Sequence, residues 1–284
     1  MSETTANSTD TSDTDVKTSS GDVMGSASRW QATSSSVYLA RSKQTWTGAG
    51  SAAGYVLRYL APMRRLMVDV VGGEQEADRA LAILVAHLVK AGFSGHDKGR
   101  LRDFLVRGIR SAAKARFDEA KADSGKGADK NQTGKGQSAK TPVPPRIEAA
   151  QLESADWIGY WREGILQRAW RSLERYQHAC RYGRIVNRSP DEPDEDIVYD
   201  SLRVMMSHPN ETGELWAGRV AAMAGRSVTP DEVRSQIELA RVRFAQQIAD
   251  EVAQTLEQPE PKAVHAEIKS LGLAKAFAGV KVLA

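Results

Sequence analysis

Apolar residues recur at intervals of three and four over most of this chain, which is the spacing of amphipathic helices. Between residues 55 and 117 the pattern is broken at Gly72-Gly73 and again at Gly92, and it therefore predicts three helices. Further helical patterns lie between residues 157 and 256, and a short one follows Pro261. Because no segment shows sustained alternation of apolar and polar residues, we predict an all-α fold.

We predict two small helical domains joined by a flexible linker, the second of which contains a helix-turn-helix. The segments are a disordered acidic Ser/Thr-rich tail (1–45), a first helical domain (46–118), the linker (119–146), a second helical domain (147–257) and a C-terminal tail with a short helix (258–284). The first 28 residues carry five acids and one lysine, and such a segment cannot bury enough apolar surface to offset the entropy of ordering. The linker is rich in Gly, Ser and Lys and ends in a proline cluster.

The most informative local pattern lies at residues 213–245, in the second predicted domain. One helical pattern ends at Gly225, a residue suited to a left-handed C-cap. Thr229 then provides an N-cap, Pro230 fits the first position of a new helix, and Glu232 is placed for a capping box. Two helices with a tight junction of this kind form a helix-turn-helix, whose second helix enters the major groove of DNA through its N-terminal part.

The candidate DNA contacts of this second helix are polar residues near its start. Arginine and glutamine read base edges, and arginine also neutralises phosphates. The predicted contacts are Thr229, Asp231, Arg234, Ser235, Gln236, Arg241 and Arg243. Asp231 and Glu238 oppose phosphate binding, so an ordinary solvated helix is an open alternative.

The third helix of the first predicted domain is more basic. Seven basic residues and one acid occupy residues 98–117. A basic stripe beside an apolar stripe fits a nucleic-acid backbone or a membrane surface, and it also fits a solvated face. Because the apolar side is needed for the core of the domain, we favour nucleic acid over membrane. The predicted DNA contacts here are Arg100, Arg102, Arg107, Arg110, Lys114 and Arg116.

Two segments resemble sigma-70-family RNA polymerase sigma factors, most closely the extracytoplasmic-function group in its planctomycete-type form. Residues 233–244, VRSQIELARVRF, are similar to the recognition helix in region four of that family. Residues 98–105, KGRLRDFL, resemble the arginine-rich start of the promoter-melting helix in region two. The order and spacing of the two segments also resemble the architecture of the group.

The resemblance implies a transcription initiation factor that binds core RNA polymerase and directs it to specific promoters. It assigns polymerase binding to Glu74, Glu76 and Asp78, and it implies no catalysis by the chain itself. Region two diverges, because Ala82 and Ile83 stand where the family carries a polar pair. A helix-turn-helix DNA-binding regulator that no longer engages polymerase, or a helical protein-interaction module, is therefore the alternative. An unidentified regulatory partner is left open.

Composition and residue spacing bear on whether the protein is an enzyme, binds a metal or cofactor, or associates with a membrane. The formal net charge is +3, and the one cysteine, Cys180, cannot form an internal disulfide, which predicts a reducing, cytoplasmic compartment. The histidines are scattered without metal-ligand spacing and no phosphate-binding glycine loop is present, so we predict no enzyme, no metal and no cofactor. The longest uncharged apolar run, at 80–89, is about half of a membrane span, and we predict no membrane partner. An acidic run at 191–196 is interpreted as a solvated loop.

Overall fold

The computed structural model describes residues 36–41, 45–47, 52–93, 99–126, 143–183 and 194–283. Almost all regular structure in these ranges is helical, which confirms the all-α prediction. The predictions of disorder for the acidic tail up to residue 35, and of flexibility for residues 127–142 of the linker, fall on residues outside the described ranges.

Nine α-helices and two short strands follow one another along the described residues. The helices are α1 (Ala52–Arg58), α2 (Leu60–Val71), α3 (Glu74–Ala91), α4 (Leu101–Lys126), α5 (Ala155–Arg181), α6 (Val198–Ser207), α7 (Gly213–Ala224), α8 (Pro230–Gln254) and α9 (Pro261–Ser270). The strands, β1 (Ser36–Tyr38) and β2 (Lys281–Leu283), pair in parallel. This pair was not predicted, because three residues are too few to show an alternating pattern.

Glycines and a threonine set the ends of helices where the sequence predicted them. Gly72 ends α2 with a φ of 78° and Gly225 ends α7 with a φ of 69°, values that glycine adopts without strain. At the start of α8 the Thr229 hydroxyl accepts a hydrogen bond from the backbone N–H of Glu232 at 3.2 Å, as expected of an N-cap. The carboxylate of Glu232, predicted to complete a capping box, accepts instead from Arg226 at 2.6 Å.

Helix α4 is longer than predicted. It extends to Lys126, past the predicted end of the first domain at residue 118. The added segment includes glutamate, alanine and lysine residues, which have high helix propensity. On the other side of the predicted linker, the backbone N–H of Arg146 donates to the carbonyl of Val70 at 2.7 Å, so the chain is already packed on α2 there. The linker predicted at 119–146 is therefore wrong at both of its ends.

One hydrophobic core joins the two segments that were predicted as separate domains. Met67 from α2 and Ile109 from α4 lie in the same buried cluster as Trp161 from α5 and Ile248 from α8. The ring of Tyr59, just before α2, stacks on Trp161 with centroids 4.4 Å apart. The prediction of two separate domains is therefore wrong for the described residues, because α5 and the second half of α8 complete the core of the first segment.

The second half of α8 is buried on all sides. Every residue from 245 to 254 is buried, including several polar ones. Arginines from distant elements satisfy those polar groups: Arg41 donates to Asp250 at 2.5 Å, and Arg168 binds Glu251 at 2.7 and 3.1 Å. A buried charge is tolerated when it is paired and hydrogen-bonded in this way. This half of α8 is thus a central structural helix.

The first half of α8 belongs to a smaller core formed with α6 and α7. Val204 of α6, Val220 of α7 and Val233 and Ile237 of α8 are buried together there. A helix that packs on one side leaves its other side in solvent. The N-terminal half of α8 is therefore the half that is available to a partner.

Candidate nucleic-acid interface

The exposed residues of the first half of α8 form a single stripe. Their positions follow the spacing of one helical face, and we call them the α8 stripe: Asp231, Arg234, Ser235, Glu238 and Arg241. Each arginine pairs with an acid three residues earlier, Arg234 with Asp231 at 2.9 Å and Arg241 with Glu238 at 3.2 Å. The stripe is consequently neutral overall. Thr229 was also predicted to contact DNA. Its hydroxyl forms the N-cap of α8 and so fixes the residue at which the helix, and with it the stripe, begins.

Two residues predicted as DNA contacts of α8 are buried, and these predictions are wrong. The side-chain amide of Gln236 donates to the backbone carbonyl of Asp194. Arg243, 8% exposed, donates to both carboxylate oxygens of Glu195, at 2.9 and 3.1 Å. Although burial opposes the charged form, the hydrogen bonds to Glu195 raise the pKa of Arg243. The loop before α6 folds over this side of α8 and covers both residues.

The first two arginines of the predicted DNA-binding set on α4 are also structural. Arg102 is 1% exposed and donates to Glu267 of α9 at 2.6 Å and to the carbonyl of Leu152 at 3.0 Å. Arg100 donates to Asp103 at 2.7 Å and to Glu153 at 2.6 Å. Together they attach the start of α4 to α9 and to the segment before α5. Burial shows that the predicted DNA contact of Arg102 is wrong, whereas that of Arg100, whose side chain is 30% exposed, stays a prediction although acids of this chain hold it.

The residues predicted to bind polymerase lie at the start of α3 and pair with arginines of this chain. Arg64 donates to Asp78 at 2.6 Å and to Glu74 at 3.2 Å. Arg116, predicted to contact DNA, instead donates to Glu76 at 2.8 Å. These hydrogen bonds hold the pKa values of Glu76 and Asp78 below their usual range. The acids thus stabilise the contact of α3 with α2 and α4.

Three basic residues of the predicted DNA-binding set on α4 are exposed and have no described partner. Arg107, Arg110 and Lys114, which we call the α4 stripe, make no hydrogen bond or ion pair with any other described residue. They are spaced by three and four positions, so they lie on one side of the helix. Ser111 is exposed between them. These side chains are therefore free to bind anions.

An apolar cleft of about 460 Å³ adjoins the α4 stripe, between α3 and α4. Its lining includes Leu84, Leu88 and Phe104, and its polar members are His87, Arg107 and Ser111. Gly108 permits the close contact of the two helices, since a Cβ atom there would lie 2.8 Å from Leu84 Cδ1. An apolar cleft with a neighbouring cation suits a ligand that has both a flat apolar part and a negative charge, such as an unstacked nucleotide.

Sequence reasoning missed the acids that hold the buried arginines. Glu195 and Glu267 lie 48 and 165 positions from Arg243 and Arg102, so no local spacing connects them. The acidic run at 191–196, interpreted as a solvated loop, was the one available signal, and Glu195 at 1% exposure contradicts that interpretation.

No family model, curated protein or solved structure matches this chain.

Other kinds of site find little support in the described part of the chain. No three His, Cys, Asp or Glu side chains there are placed to share a metal ion. Among the same residues, every helix is too short or too polar to cross a lipid bilayer. The α4 stripe with its cleft and the α8 stripe therefore form the candidate nucleic-acid interface.

Proposed function

We propose that this chain is a sigma-like transcription initiation factor that binds promoter DNA through the α4 and α8 stripes and brings core RNA polymerase to it in the cytoplasm. The α4 stripe carries the proposal, because three aligned cations without an internal partner match the phosphates of a nucleic-acid strand. The adjoining cleft adds room for an unstacked base, which strand opening requires.

The α8 stripe supplies the sequence-reading part of the proposal. Its two ion pairs are exposed, and pairs of this kind are worth only about 0.2–0.5 kcal/mol each. A bidentate contact from arginine to guanine is worth about 1–3 kcal/mol. Arg234 and Arg241 therefore gain more from a base edge than they lose by leaving Asp231 and Glu238.

The test uses the full chain with core RNA polymerase and a library of promoter fragments. We expect the protein to associate with core polymerase in a pull-down and to direct transcription from a unique start site. A triple variant of the α4 stripe, Arg107→Gln, Arg110→Gln and Lys114→Gln, should abolish start-site selection while leaving the association with polymerase intact. If the wild-type protein neither binds core polymerase nor directs a start site, the proposal fails.

A second candidate is a DNA-binding regulator that does not engage polymerase. It is favoured by one observation: Glu74, Glu76 and Asp78 already have arginine partners within the chain. This candidate predicts retention on specific DNA without any association with core polymerase. A helical interaction module that binds no DNA, the remaining alternative, predicts that the wild-type protein is not retained on DNA at modest salt.

A further inference from the structure

A second cleft, of about 350 Å³, lies where the junction of α1 and α2 meets α5. Four arginines line it and no acid does: Arg58, Arg64, Arg168 and Arg171. We call it the arginine cleft. It shares no residue with the α4 stripe or the α8 stripe, so its chemistry is separate from the proposed DNA interface.

Two of the four arginines carry positive charge that no carboxylate offsets. Arg168 is neutralised by Glu251 and Arg64 by Asp78. Arg58, in contrast, donates to the neutral amide of Gln254 at 2.9 Å. Arg171 is exposed and its guanidinium makes no hydrogen bond or ion pair with another described residue. The cleft therefore attracts an anion.

Besides these arginines, α1 and α2 contribute an apolar part to the wall of the cleft. Leu57, Leu60 and Pro62 line it, and Leu57 is 70% exposed. Pro62 lies close to α5 because residue 164 is glycine, where a Cβ atom would come within 3.3 Å of the proline ring. An exposed leucine beside guanidinium groups that no carboxylate neutralises favours a ligand with an apolar, planar part next to its negative charge.

We propose that the arginine cleft binds a small nucleotide, with its phosphates on Arg58 and Arg171 and its base against Leu57 and Leu60. Guanidinium groups bind phosphate oxygens through paired hydrogen bonds, and their flat faces also stack on aromatic rings. The volume lies at the lower end of the range for small-molecule sites, which admits a nucleotide and excludes a duplex.

Isothermal titration of the full chain with ADP, adenosine and inorganic phosphate tests this site. ADP should bind, and adenosine and phosphate should each bind at least about tenfold more weakly, because each offers only one half of the ligand. Arg171→Gln should weaken ADP binding by at least about tenfold, through loss of a charge-assisted contact. Arg175→Gln, one turn further along α5 and outside the cleft, is the matched control and should bind ADP as the wild type does.

Thermal melting separates loss of binding from loss of folding. Arg171 has no described partner, so Arg171→Gln should melt at the wild-type temperature. As a second variant, Leu57→Asp places a carboxylate in the apolar wall assigned to the base, next to Arg58, and should abolish ADP binding. The proposal is overturned if wild-type protein does not bind ADP, if Arg171→Gln binds it normally, or if Arg175→Gln weakens it equally. Because the sites share no residue, the triple variant of the α4 stripe should still bind ADP even if DNA binding is absent.

Discussion

The α4 stripe and the α8 stripe are both predicted to bind DNA, but they differ in net charge: the first is basic and the second is neutral. In the α4 stripe all three cations are exposed without described partners, whereas in the α8 stripe both arginines are paired with acids of the same helix. A surface with free cations attracts phosphates of any sequence, because the attraction depends on charge alone. A neutral surface with weakly paired arginines gains little from phosphates and suits contact with base edges. In the proposed function, this difference assigns the attraction of DNA to the α4 stripe and the reading of its sequence to the α8 stripe.

A second contrast separates the arginines of α8 from one another. Arg241 and Arg243 are two positions apart, yet Arg241 is exposed with a weak partner and Arg243 is buried against Glu195. Breaking an exposed pair costs a few tenths of a kcal/mol, while removing one partner of a buried pair costs about 3–5 kcal/mol. Residue type alone therefore does not identify a candidate DNA contact. An arginine held by a buried acid is unavailable to DNA, whereas one held by an exposed acid is available.

The largest expected effect is on stability. Arg243→Ala leaves the Glu195 carboxylate buried without its partner, so the free energy of unfolding in urea should fall by about 3–5 kcal/mol. Arg241→Ala, the control on the same helix, should change it by less than about 0.5 kcal/mol. Equal losses in the two variants would mean that α8 has no division between a structural and an available side.

The next effect is on the attraction to DNA. The triple variant Arg107→Gln, Arg110→Gln and Lys114→Gln should lower the salt slope of DNA binding by about 2–3 and the affinity by on the order of a hundredfold at ~0.1 M salt. Fluorescence anisotropy over a salt series measures both quantities. Triple substitution of Arg100, Arg102 and Arg116, which are paired with acids, should act on stability instead. An unchanged slope in the α4 variant would contradict the assignment.

A smaller effect is expected at the reading surface. Arg234→Ala should weaken binding to the preferred duplex by about 1–3 kcal/mol through loss of a base contact. Binding to random duplex should be almost unaffected, since the stripe is neutral. Competition between the two duplexes at fixed salt measures this difference. A uniform loss on both would make Arg234 a phosphate contact like those of α4.

The smallest effect concerns pH and the acids at the start of α3. The hydrogen bond from Arg116 holds the pKa of Glu76 below its usual range. A depressed carboxylate pKa adds stability above the unfolded pKa, near about 4.3, and this stability is lost as the pH falls through the folded pKa. Glu76→Gln should therefore lower the free energy of unfolding by under about 1 kcal/mol at neutral pH. The free energy of unfolding of this variant should also fall less steeply than that of the wild type as the pH is lowered. Glu148→Gln, at an exposed position without a described ion pair, should show the wild-type dependence of unfolding on pH.

Local chemistry was predictable from the sequence, and long-range burial was not. Gly72, Gly225 and Thr229 set helix ends through backbone and capping preferences that act within a few residues. The burial of residues 245–254 depends on arginines as far as 209 positions away, so periodicity could not reveal it. Leu57 falls within the first helical pattern, which begins at residue 55, but it is exposed because α1 and α2 meet at a break after Arg58.

The residues of the candidate site show the same contrast between local patterns and long-range burial. Arg107, Arg110 and Lys114 are exposed on one helix face, as their spacing predicted, and their contact with DNA stays a prediction. Gln236 and Arg243 had equally suitable spacing, but the loop at 194–197 packs on them. The family resemblance favoured Arg100 and Arg102 as DNA contacts, and two of their acid partners, Glu153 and Glu267, come from distant segments that only folding brings together.

Selection from a pool of random duplexes tests this assignment of attraction to the α4 stripe and of reading to the α8 stripe most directly. Wild-type protein, the triple variant of the α4 stripe and Arg234→Ala are each incubated with the pool at one salt concentration, and the retained DNA is sequenced. We predict that the wild type enriches one motif, that Arg234→Ala retains DNA without that motif, and that the α4 variant retains little DNA. Enrichment of the same motif by all three proteins, or retention of no DNA by the wild type, would contradict the account.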